Sequence, residues 1–231
     1  MREVIEYETD TPEAAKSHNS KTPRNDASAA RLTRWALLVN TAFHPLLVPL
    51  YVTGALLFGN TVSAAIPAGS RWFFMLTVMF NACLMPALAM ALLGSLGFSL
   101  KRGVGAKRYA FISILVAVCC LVSCIWMLGD IYAAYIVRRV LVAAAGCMFV
   151  GAVVGLFTYV SSHMLAAGIA VGTLLWIDIS GLGTILPQIV LAILASGAVA
   201  SARLYLGKDK YGSGIIFLAA AVITAILLTV I

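Results

Sequence analysis

The chain has 231 residues, 62% of them hydrophobic and 11% charged, with a mean hydropathy of +1.00. Soluble domains are about half apolar and about a quarter charged, so this composition excludes a water-soluble enzyme and a disordered chain and leaves a polytopic membrane protein. The formal charge of +7 reads first as membrane topology, second as affinity for an anionic ligand, and not as a nucleic-acid signature.

Residues 1–34 form a polar tail that holds six of the nine acidic residues. It turns basic at Lys21, Arg24, Arg31 and Arg34 and lacks apolar periodicity, so it is expected to be disordered. It contains no short apolar core before a small-residue cleavage site and does not read as a signal peptide. Residues 35–231 are expected to be one all-α transmembrane bundle of six or seven helices.

Seven apolar segments follow the tail: 35–58, 72–96, 109–128, 140–160, 163–177, 184–206 and 213–231. Pro45 and Pro49 should bend the first and Pro86 the second. The fifth is short for a full span. Gly151 with Gly155, and Gly168 with Gly172, are G-x-x-x-G pairs that let helices approach closely. All five cysteines lie in apolar stretches, so no disulfide framework is expected.

With seven spans, the tail shares a face with the loops after spans two, four and six. That face carries thirteen of the sixteen Lys and Arg residues; Arg71, Arg138 and Arg139 lie on the other. The asymmetry puts the N-terminus in the cytoplasm. Three polar clusters return to the same face: the basic loop from Lys101 to Arg108, the stretch Ser161-Ser162-His163, and Arg203 with Lys208 and Asp209. Taken singly, each basic cluster reads as a topology signal and His163 as a helix-start residue. Together they offer cations, hydroxyl donors and one imidazole, a set suited to a phosphate. Asn40, His44 and Asn81 are polar groups within spans, where interhelix hydrogen bonding is the simpler role.

The three clusters resemble the motifs of the type 2 phosphatidic acid phosphatase superfamily of membrane lipid phosphatases. Lys101 and Arg108 stand at its K-x6-R spacing, with Tyr109 where the family has proline. Ser161-Ser162-His163 is similar to S-G-H, with Val160 in place of the preceding proline. Arg203, after Ala202, takes the arginine of the third motif, and ARLYLGK together with FHPLLVP from Phe43 resembles a Bacteroidetes-type membrane subgroup. The resemblance covers roughly residues 40–225 and implies a lipid-phosphatase-like core in a bacterial inner membrane. It also implies a lipid or isoprenoid phosphate as ligand and no metal or other cofactor.

By the same resemblance Lys101, Arg108, Ser161, Ser162 and Arg203 cradle the phosphate and His163 is the general acid. The family's nucleophilic histidine falls at Asp209, and the carboxylate that orients it falls at Ser213. Asp209 is therefore a substituted nucleophile, and the implied protein binds a phosphate more readily than it hydrolyses one. The alternative is a non-enzymatic scaffold, assembly factor or small-solute carrier. Oligomeric state and protein partners are not legible.

Overall fold

The computed structural model describes residues 23–95, 104–129, 131–209 and 212–231. Among them the chain forms α1 (Pro23–Ala42), α2 (Val48–Phe58), α3 (Ala68–Val78), α4 (Met85–Ser95), α5 (Val104–Met127), α6 (Tyr135–Phe157), α7 (Ser162–Ile179), α8 (Leu186–Tyr205) and α9 (Ser213–Val230). Six stretches are long and apolar enough to cross a membrane, and the apolar part of α5, Phe111–Met127, is a shorter seventh. The chain is an all-α polytopic bundle, as its composition requires. Lipid leaves helices as the means of satisfying these backbones.

The first span, Ala30–Phe58, is broken. His44 is extended (φ −64°, ψ 139°), as the residue before a proline tends to be, and a 3-10 turn follows at Pro45–Leu47. His44 Nδ1 accepts the Leu46 N–H at 3.3 Å, and the Tyr51 hydroxyl donates to the Ala42 carbonyl at 2.8 Å. Side chains thus satisfy backbone groups that the break frees. α1 also begins at Pro23 rather than near Trp35, so residues 23–34, expected to be disordered, are helical. Ala27, Ala29, Ala30, Arg31 and Leu32 are strong helix formers, and their summed propensity outweighs the polar composition. Residues 1–22 of the tail lie outside the described residues.

The second span is irregular upstream of Pro86, where Met79–Leu84 is a π-helical segment. A proline ring clashes with the carbonyl four residues back, here that of Ala82, and the wider turn accommodates it. Asn81 is buried there and accepts from the Ser123 hydroxyl at 2.9 Å, tying this span to α5.

Close helix approach is concentrated where α7 meets α9. A Cβ at Gly168 or Gly172 would run into the backbone carbonyls of Phe217 and Ala221. At Gly151 it would meet the Leu165 side chain at 2.6 Å, whereas at Gly155 the nearest neighbour is Val160 at 3.9 Å. The second G-x-x-x-G pair is therefore a contact seam and the first only half of one. Gly172→Leu should cost about 1–3 kcal/mol or more through overpacking and Gly155→Ala almost nothing. Thermal unfolding of the two detergent-solubilised variants checks this, and equal melting temperatures would contradict it.

Arg71, Arg138 and Arg139 all reach carbonyls at helix ends. Arg71 Nη1 donates to Leu57 O at 3.4 Å, Arg138 Nη1 to Gly129 O at 2.7 Å, and Arg139 Nη2 to Leu228 O at 2.6 Å. Each cation sits at the negative end of a helix, α2, α5 or α9. The loop after α2 is also pinned to the loop after α7. Val62 N–H donates to Leu182 O at 2.8 Å and Thr184 N–H to Asn60 O at 3.0 Å.

Candidate functional site

The end of α8 builds the site by a helix stop. Gly207 adopts φ +64°, the left-handed conformation glycine takes without penalty. Gly207 N–H bonds to Leu204 O and Lys208 N–H to Arg203 O, both at 3.0 Å, the paired bonds of a Schellman turn. The turn reverses the chain and lays Asp209 back on Arg203, six residues earlier.

Arg203 holds Asp209 by a two-pronged ion pair, Nε to Oδ2 at 2.8 Å and Nη2 to Oδ1 at 3.0 Å. The Ser161 hydroxyl donates to Oδ2 at 2.8 Å, and the Tyr159 hydroxyl lies 2.8 Å from Oδ1. Oδ2 therefore meets two donors, while Oδ1 meets Arg203 and shares the single Tyr159 proton with the Lys208 carbonyl, which also lies 2.8 Å from that hydroxyl. The Asp209 side chain is fully buried. Ser161 leads into α7 but does not cap it; its hydroxyl turns to Asp209 instead, at the helix end that favours an anion.

Burial works to raise the Asp209 carboxyl, but the hydrogen bonds from Arg203, Ser161 and Tyr159 outweigh it and hold the group below its ordinary range. Burial, and then the neighbouring carboxylate, push the Tyr159 hydroxyl up, so it stays protonated as a donor.

The other side of Arg203 reaches into the bundle. Nη1 donates to Asn40 Oδ1 at 3.0 Å and lies 2.9 Å from His163 Nδ1. A guanidinium has no lone pair to offer, so Nδ1 accepts and the proton of neutral His163 sits on Nε2. The same argument applied to the Leu46 N–H leaves the His44 proton on its own Nε2. The two imidazole rings stand 5.7 Å apart, edge to face, with neither able to accept from the other. His163 Nε2 is buried and has no hydrogen-bond partner among the described residues.

Beside His163 lies a cavity of about 580 Å³ between α2, α7 and α8. α7 contributes His163, Ala167, Ala170 and Leu174, one stripe of its surface.

Of the residues expected to form a phosphate site, Ser161, His163, Arg203 and Asp209 converge. Ser162 stands in the first turn of α7 and takes no part in the network. Lys101 lies outside the described residues, and of Arg108 only its place in the first turn or so of α5 is described. α5 packs on α6 and α4, whereas Ser161, His163 and Arg203 belong to α7 and α8 and the turn before them. Ser213, the position of the orienting carboxylate, is buried at the start of α9.

Sequence reasoning missed Tyr159, which reads as an ordinary interfacial aromatic at the end of a span. Asn40, read as an intramembrane polar group with interhelix hydrogen bonding as its simpler role, makes such a contact with Arg203. Comparison with protein-family models, curated proteins and solved structures finds no match.

Proposed function

We propose that this chain is a lipid-phosphatase-like membrane protein that binds a lipid or isoprenoid phosphate at Arg203 and does not hydrolyse it. The observation that carries the reading is the Asp209 carboxylate held by Arg203, Ser161 and Tyr159. A forked guanidinium and two hydroxyls on one anion are the donors a phosphate uses. The carboxylate stands where such a ligand's oxygens belong.

The same bonds argue against turnover. A nucleophile needs a free lone pair and room to move, and Asp209 has both oxygens held by Arg203 and its side chain sealed. His163, with Nδ1 taken by Arg203, is a neutral donor rather than a charged acid.

Orientation belongs to this reading. The N-terminus and the Arg203 site face the cytoplasm of a bacterial inner membrane, with thirteen basic residues on that side and three on the other. The three bond to helix-end carbonyls and so weigh little against the placement. A small-solute carrier is the second reading, favoured by the interrupted first span. The apolar lining of the cavity beside His163 argues against a polar solute there.

Purified protein should bind phosphatidic acid or a prenyl diphosphate saturably and release no inorganic phosphate above a protein-free control. Phosphate release abolished by Asp209→Asn would reinstate Asp209 as a nucleophile. Failure of both the wild type and Asp209→Asn to bind either lipid would end the reading.

A further inference from the structure

The cavity beside His163 is separate from the anion cradle, since neither Arg203 nor Asp209 lines it. We propose that it is a binding site for an uncharged long-chain lipid, of the acyl or prenyl class, whose terminal oxygen accepts a hydrogen bond from His163 Nε2–H.

Its length fits a single hydrocarbon chain. The α7 lining runs from His163 to Leu174 and the α8 lining from Gln188 to Val199. At 1.5 Å per residue each covers about 17 Å of helix axis, roughly half the ~30 Å hydrocarbon core of a bilayer. The volume of about 580 Å³ lies in the usual range of ligand pockets. α2 and α8 both pack on α7, and the cavity occupies the space between them. At the far end the pinned loops around Thr61 and Gly183 join the ends of α2 and α7.

Its chemistry excludes a charged head. The lining is mostly apolar, with Tyr51, His163, Gln188 and Ser196 as its neutral polar residues and no cation or carboxylate in it. The nearest cation, Arg203, is committed to Asp209, Asn40 and His163. What the cavity has instead is neutral polar groups: a histidine about nine-tenths buried whose Nε2–H, and a glutamine, Gln188, whose Oε1, find no hydrogen-bond partner among the described residues. A buried donor left unpaired is costly, and a hydroxyl or carbonyl oxygen satisfies it without bringing charge.

The test uses the full-length protein in phosphatidylcholine vesicles with three diazirine-bearing probes: a long-chain alcohol, an alkane of the same length, and a diacylglycerol. The alcohol should crosslink to Ala167, Ala170 and Ala195 about fivefold more than the alkane, the size of one net hydrogen bond. Labelling by diacylglycerol as well would assign the chain to bilayer lipids, and labelling by the alcohol alone to a free long-chain alcohol. Ala195→Trp, which fills the cavity, should remove the label. Ala198→Trp, on the exposed face of α8, should keep it and controls for added bulk. Label spread evenly over outward residues such as Leu194, or unchanged by Ala195→Trp in a protein that still runs as a single species, would overturn the proposal. So would equal labelling by alcohol and alkane.

Discussion

Replacing Arg203 by leucine is expected to destabilise the bundle by about 3–5 kcal/mol, the usual result of removing one partner of a buried ion pair. The loss comes from what is left behind. Asp209 would keep a fully buried carboxylate with only Ser161 and Tyr159 for donors, and Asn40 and His163 Nδ1 would lose theirs. In a chain of this size the melting temperature should fall on the order of 10 °C. Arg203→Lys should recover little, because one ammonium cannot reproduce a fork plus two further contacts. The double variant Arg203→Met with Asp209→Leu should regain most of the stability, since apolar groups of similar volume often replace a buried pair at little cost. Thermal scans of the three variants decide the matter. If single and double variants fall equally, the guanidinium supports the fold by packing rather than by its charge.

The spans were legible because lipid demands long apolar helices, and nothing competes with that signal over twenty residues. The breaks were legible in kind but not in place. Pro45 interrupts the first span where it stands, because its effect falls on the residue before it. Pro86 acts on the turn preceding it, so the irregularity appears at Met79–Leu84. Residues 23–34 misled because polarity argues against a packed core, not against a helix, and their alanines favour one.

At the site, spacing and sidedness sufficed to bring Ser161, His163 and Arg203 together, since an even number of crossings returns the chain to one face. They could not say what Asp209 does there. Read as a motif position, it is a nucleophile in the wrong chemical form. Gly207 held the missing information: a glycine just past a helix with an arginine in its last turn fits a Schellman turn, which folds the following acid back onto that helix end. Tyr159 left no such trace, because its partner comes from a turn about fifty residues on and its own neighbourhood is that of any interfacial aromatic.

If Asp209 occupies the cradle of an anionic ligand, neutralising it should open the cradle. Asp209→Asn is expected to bind phosphatidic acid in vesicles at least about tenfold more tightly than the wild type at pH 7, a difference of ~1.4 kcal/mol. Acid should act in the same sense. The folded carboxyl titrates below its ordinary value of 3.8, so its contribution to stability is full above that value and is lost as pH falls through the lower folded one. Ligand affinity should move the opposite way over that window. Protonating Asp209 frees Arg203, while a phosphate monoester, with its second ionisation near pH 6, still carries one negative charge. Tyr159 stays neutral throughout, since its hydroxyl is pushed above its ordinary range. His163 and Arg203 remain in both proteins, so the difference between the two binding curves, followed from pH 5 to below the ordinary carboxyl value of 3.8, isolates the carboxylate. The wild type should approach the variant only as pH falls through the lowered folded value of that carboxyl. Equal affinities at pH 7 and parallel curves below it would mean that Asp209 guards nothing, and that its bond to Arg203 serves only to close the end of α8.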